Sequence, residues 1–161
     1  MTNLESGTLQ FPQPRKLPSD LGAQVAYLKD QDDPLRWEAP RMFNRCAELR
    51  RFERFVSDLE GRLDRKLDYA LGGGVDEAPF HGELFFGVAS IRASNFGRML
   101  TVLFSDNVPA AVLRVIGQVA SEHGYVLIEE TLIAEPYCAS RGIESSTETW
   151  GSRFFGCASR H

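Results

Sequence analysis

RMLTVLFSDNVPAAVLRVIGQVASEHGYVLIEE, from Arg98 to Glu130, reads as a strand, a helix and a returning strand. From Arg98 to Ser105 the two alternating sets, Met99/Thr101/Leu103 and Leu100/Val102/Phe104, are both largely apolar. Successive strand side chains point to opposite faces, so this strand should be covered on both. Asp106 or Asn107 then offers a capping oxygen, and Pro109 suits a helix start. Val108, Val112, Val115/Ile116 and Val119 form one stripe at helical spacing. Gly124 suits the left-handed residue that ends a helix, and Tyr125 to Ile128 reads as the second strand.

Upstream, Leu84 to Ala93 reads as a strand and Ser94 to Gly97 as a turn. A long helix is expected from Arg41 to Asp68. Met42, Cys46, Leu49, Phe52, Phe55/Val56, Leu59, Leu63 and Leu67 recur along it every three or four residues. That stripe places Cys46 in the core. Ser19 can cap a shorter helix to about Asp30, and Pro34 starts a single turn carrying Leu35 and Trp37. Residues 1–18, with Pro12, Pro14 and Pro18, form an extended lead-in, and Val75 to Gly82 a loop. Downstream, Arg141 to Glu148 reads as a polar loop, Thr149 to Phe155 as the last structured piece, and 156–161 as a tail. The sum is one α+β domain over residues 1–161. Its sheet is antiparallel or mixed, with about four to five strands, and its helices pack mainly on one face.

A net charge of −4 and a pI near 5.4 do not favour the phosphate backbone of nucleic acid. The charge is uneven. Arg41 to Lys66 holds eight basic and five acidic residues. From Ser121 to Thr149, Glu122, Glu129, Glu130, Glu135, Glu144 and Glu148 face Arg141 alone. An acidic face of this kind would suit a protein partner with a basic surface, with Glu129, Glu130, Glu135, Glu144 and Glu148 as the contact set. No stretch approaches the roughly 18 apolar residues of a membrane span. The N-terminus has no signal-like apolar core, so a cytoplasmic location is expected. Cys46, Cys138 and Cys157 show no CxxC spacing; Cys138 and Cys157 can pair in principle.

The chemical motifs are sparse. Gly72-Gly73-Gly74 is expected to follow a helix, whereas a phosphate loop follows a strand and opens a helix, so the glycines read as a helix stop or a hinge loop. There is no HExxH and no histidine pair at ligand spacing, so neither a metal nor a cofactor is expected. Serines lack a GxSxG elbow. Glu129 and Glu130 would point to opposite faces of a strand and could not share a proton. No catalytic residue is assigned. The alternative to a binding protein is an enzyme or ligand-binding protein using His81 with Glu83, and Cys138 as a thiol.

Gly124-Tyr125-Val126-Leu127-Ile128, a tyrosine at Tyr137, and Thr149-Trp150-Gly151-Ser152-Arg153-Phe154-Phe155 together resemble small bacterial immunity proteins of polymorphic toxin systems. The resemblance covers Gly124 to Phe155 only and carries over no binding residue. It implies a non-catalytic cytosolic antidote that occludes a toxin domain.

Overall fold

The computed structural model describes residue 17 and residues 20–71, 78–138 and 144–157, the backbone alone at 144–147. The lead-in before Leu17, the three glycines and the last four residues lie outside the described residues. In chain order the elements are α1 (Leu21–Gln31), α2 (Arg45–Leu63), β1 (Asp68–Leu71), β2 (Phe80–Phe86), β3 (Ala89–Ser94) and β4 (Met99–Leu103). There follow α3 (Ala110–Glu122), β5 (Val126–Ile128), α4 (Glu130–Ile133), β6 (Pro136–Cys138), β7 (Glu144–Thr149) and α5 (Trp150–Phe155).

The β4–α3–β5 unit forms where the apolar pattern places it. β4 and β5 run parallel, with Met99 opposite Val126, Leu100 opposite Leu127 and Thr101 opposite Ile128. Four of the five β4 residues are buried, as two-sided apolarity requires. The start of α3 differs from expectation. Ser105–Asn107 form a separate 3-10 turn, and α3 is entered from Pro109 without a side-chain cap. Gly124 closes the helix at φ +79°.

β1 to β4 pair antiparallel in sequence order, so the sheet is mixed and five-stranded, β1-β2-β3-β4-β5. The single strand expected over Leu84–Ala93 is two. Gly87, at φ +59°, turns the chain so that Phe86 pairs with Ala89. α2 also stops sooner than expected, because Asp64 adopts a left-handed conformation at φ 50°. β1 follows, so the glycine run succeeds a strand rather than a helix. Residues 144–148, expected as loop, belong to β7, which pairs antiparallel with β6.

The sheet separates two cores, so helices cover both of its faces rather than mainly one. On one face Leu84, Ile91, Ala93, Leu100 and Val102 meet Phe52, Phe55, Val56 and Leu59 of α2 and Ile116, Val119 and Ala120 of α3. Each large apolar side chain fully buried there contributes about 1.5–3 kcal/mol. The approach of α2 is close enough that a Cβ on Gly82 would lie 2.5 Å from the Phe52 ring. On the other face Met99 and Ile128 meet Leu28 of α1, Leu132 and Ile133 of α4, and Trp150, Phe154 and Phe155 of α5, with Phe96 and Tyr137. Cys46 is exposed, contrary to expectation. At about 100° per residue it sits about 120° around α2 from Phe52, off the buried stripe. Met42 precedes the helix altogether and is exposed. All three cysteines are free. No helix among the described residues is long and apolar enough to cross a membrane.

Candidate functional site

His81 occupies a β-bulge: Phe80 pairs with Ser94 and Gly82 with Ala93, leaving His81 as the extra residue. The bulge turns its ring toward α2, among Phe43 and Phe52, where it is 1% exposed. The Asn95 amide nitrogen donates to the carbonyls of Glu38 and Ala78, so the Asn95 Oδ1 accepts from His81 Nδ1 at 3.1 Å. His81 Nε2 is then a buried lone pair without a hydrogen-bond partner. Burial holds the imidazole below its usual proton affinity, against an opposing contribution from the Asn95 hydrogen bond.

The expected His81–Glu83 pair does not form. Beyond the bulge Glu83 points to the opposite face and binds the Arg92 Nε at 2.9 Å. Cys138 lies half-buried against the second core, away from His81 on the first. Nothing brings the three together. A cleft of about 280 Å³ opens elsewhere, between Arg65, Phe86 and the Val108–Val112 start of α3. No group of three or more His, Cys, Asp or Glu residues among the described residues is placed to hold a metal ion.

The acidic set is dispersed in role. Glu129 is exposed and precedes α4 rather than extending a strand, and Glu135 is exposed. Glu130 opens α4, half-buried, and turns toward the chain leaving β4. Its carboxylate accepts from the Phe104 N–H at 2.7 Å, the Ser105 N–H at 3.2 Å and the Ser105 hydroxyl at 3.0 Å. Glu148 is half-buried, and the Glu144 side chain lies outside the described residues. Strand alternation was therefore the wrong geometry for Glu129 and Glu130, because β5 ends at Ile128.

The arrangement with the most internal organisation was not anticipated. Arg153 of α5 is fully buried. The capping box of Thr149 and Ser152 starts its helix and aims Trp150, Arg153 and Phe154 inward. Its guanidinium lies 4.2 Å from the Phe96 ring centre and 4.8 Å from that of Trp37. One nitrogen binds Asp32 Oδ1 at 2.6 Å and donates to the carbonyls of Asp33 and Arg36, and the other donates to the carbonyl of Trp37 at 2.8 Å. Asp32 completes its shell with the Tyr137 hydroxyl. Burial, and then the hydrogen bond to that carboxylate, push the phenol up to about 12.

This buried arginine grips the backbone between α1 and α2. Further hydrogen bonds fix the same segment: Asp33 accepts from the Arg41 N–H, and the Glu38 carbonyl accepts from Asn95. With its backbone held, the loop turns three apolar side chains outward while Phe43 packs on His81: Leu35 is 76%, Trp37 49% and Met42 90% exposed. The sequence signal was an arginine among aromatics at helical spacing, where the partner, 121 residues upstream, gave no local hint. No family model, curated protein or solved structure matches this chain.

Proposed function

We propose that this chain is a non-catalytic protein-binding module, an immunity-type inhibitor that occludes a toxin domain in the cytoplasm. One observation carries the reading: the loop from Asp33 to Phe43 presents Leu35, Trp37 and Met42 from a backbone already fixed by Arg153 and Asn95. Exposed aromatic and aliphatic side chains on a preordered loop lose little conformational freedom on binding, which is the economy that good interface anchors share. Enzyme chemistry is less well supported, since His81, Glu83 and Cys138 face different surroundings. The acidic set is also less suited to a grip, because Glu130 is committed internally.

The test is co-expression with any toxin-like domain that a neighbouring gene encodes, reading complex formation and survival. The Leu35→Ser/Met42→Ser variant should lose both while keeping its circular dichroism. Undiminished protection by that variant, or neither complex nor rescue with the unaltered chain, would overturn the proposal.

A further inference from the structure

The exposed apolar loop is framed by arginines. Arg36 and Arg41 flank Leu35, Trp37 and Met42 within it, Arg45 opens α2, and Arg50 and Arg54 continue along its solvent face. All five are exposed, against only Glu38 and Glu53 of opposite sign and similar exposure between Pro34 and Arg54. Arg36, Arg41, Arg50 and Arg54 form no ion pair among the described residues. The other carboxylates of the region are engaged: Asp33 accepts from the Arg41 backbone, and Glu48 lies between Arg51 and Arg98. A surface of net positive charge on a chain of net charge −4 is a local feature that the overall composition does not explain.

We infer that the loop and the first turns of α2 form the docking surface for an acidic protein, one that offers an apolar socket rimmed by Asp and Glu side chains. The inference rests on the protein-binding reading and adds the chemistry of the partner, reversing the basic partner that the acidic C-terminal third suggested. Charges at the edge of an interface mainly set encounter rate and exclude wrong partners, while apolar anchors in the middle hold the complex. Leu35, Trp37 and Met42 supply the anchors and the arginines the rim. Nucleic acid fits less well. Its bases stack on planar groups, and two of the three exposed anchors, Leu35 and Met42, are aliphatic.

The experiment uses the full chain as bait for a displayed library of random peptides. Pools are counter-selected on the Leu35→Ser/Met42→Ser variant, so that only loop-dependent binders survive. Both replaced side chains face solvent, so the variant should fold. Surviving peptides should combine a large apolar residue with flanking Asp or Glu. Their affinity should fall about tenfold or more in Arg36→Glu/Arg41→Glu and recover when the peptide acids become lysine. Loop-dependent peptides that are neutral or basic, or that ignore the charge reversal, would overturn the acidic-partner inference and leave the protein-binding reading standing. Recovery of binders none of which depends on the loop would remove both. Two controls also count against the inference: tighter binding of a single-stranded oligonucleotide through Arg36 and Arg41, or a dimer in sedimentation that Met42→Ser dissolves.

Discussion

Arg153→Met tests whether one buried cation holds the presenting loop. The substitution keeps much of the side-chain volume and removes the guanidinium. Asp32 and Arg153 side chains are each 1% exposed, so the Asp32 carboxylate would remain buried with only the Tyr137 hydroxyl beside it. Removing one member of such a pair costs about 3–5 kcal/mol. The carbonyls of Asp33, Arg36 and Trp37 lose their donor as well. They belong to a surface loop and can turn to water, which caps their contribution. A loss of about 4 kcal/mol follows, and for a chain of this size a fall in Tm of about 8–16 °C. Urea unfolding read by tryptophan fluorescence suits the test, because both tryptophans report on this region: Trp37 stacks on Arg153, and Trp150 packs on Phe154. Asp32→Asn in the Arg153→Met background should restore part of the loss, giving a coupling of about 2 kcal/mol or more in the double-mutant cycle. A loss under about 1 kcal/mol, or additivity between the two sites, would refute the account.

Three further outcomes follow from the packing. Burial depresses the proton affinity of His81 below the ordinary 6.5, so the unfolded chain takes the proton first. Its contribution to stability is then complete above pH 6.5 and lost as pH falls below it, with a slope of up to about 1.4 kcal/mol per pH unit; His81→Leu should flatten that slope in urea titrations between about pH 7 and pH 5. Gly82→Ala drives a methyl to 2.5 Å from Phe52 and should cost about 1–3 kcal/mol, part of it regained with Phe52→Leu. Glu130→Gln loses a charged acceptor for two N–H groups and a hydroxyl and should cost about 1–2 kcal/mol by chemical denaturation, whereas Glu129→Gln should stay within about 0.5 kcal/mol.

Where the sequence was legible, one local period governed each element. Thr101 and Val102 alternate within a strand apolar on both sides, and Val112, Ile116 and Val119 recur at helical spacing, so β4 and α3 declared themselves. Boundaries failed where the pattern ran through a break. Val88 is apolar yet 71% exposed in the Gly87-Val88 turn, which hid the division between β2 and β3. Leu63 and Leu67 keep an i, i+4 spacing across the end of α2, and the left-handed stop is Asp64 rather than a glycine. Candidate chemistry failed for a different reason. His81 and Glu83 share a strand face in a regular strand, and only the bulge separates them. The Arg153–Asp32 pair joins opposite ends of the chain, which no local pattern records.

The aromatics and the arginine behind the C-terminal part of the immunity-protein resemblance are interior: Trp150, Arg153, Phe154 and Phe155 are fully buried, and Tyr137 nearly so. Their task in this fold is support. Arg153 reaches across to hold the backbone carbonyls of a loop and stacks on its Trp37, leaving Leu35 and Met42 to solvent. That division has a physical consequence. Leu35, Arg36, Arg41 and Met42 bury little surface within the molecule, so replacing them should move stability by about 0.5 kcal/mol or less. Changes at Arg153, Asp32 or Tyr137 strike the buried network instead. Substitution in the loop can therefore remake the exposed surface while the fold that displays it stays intact.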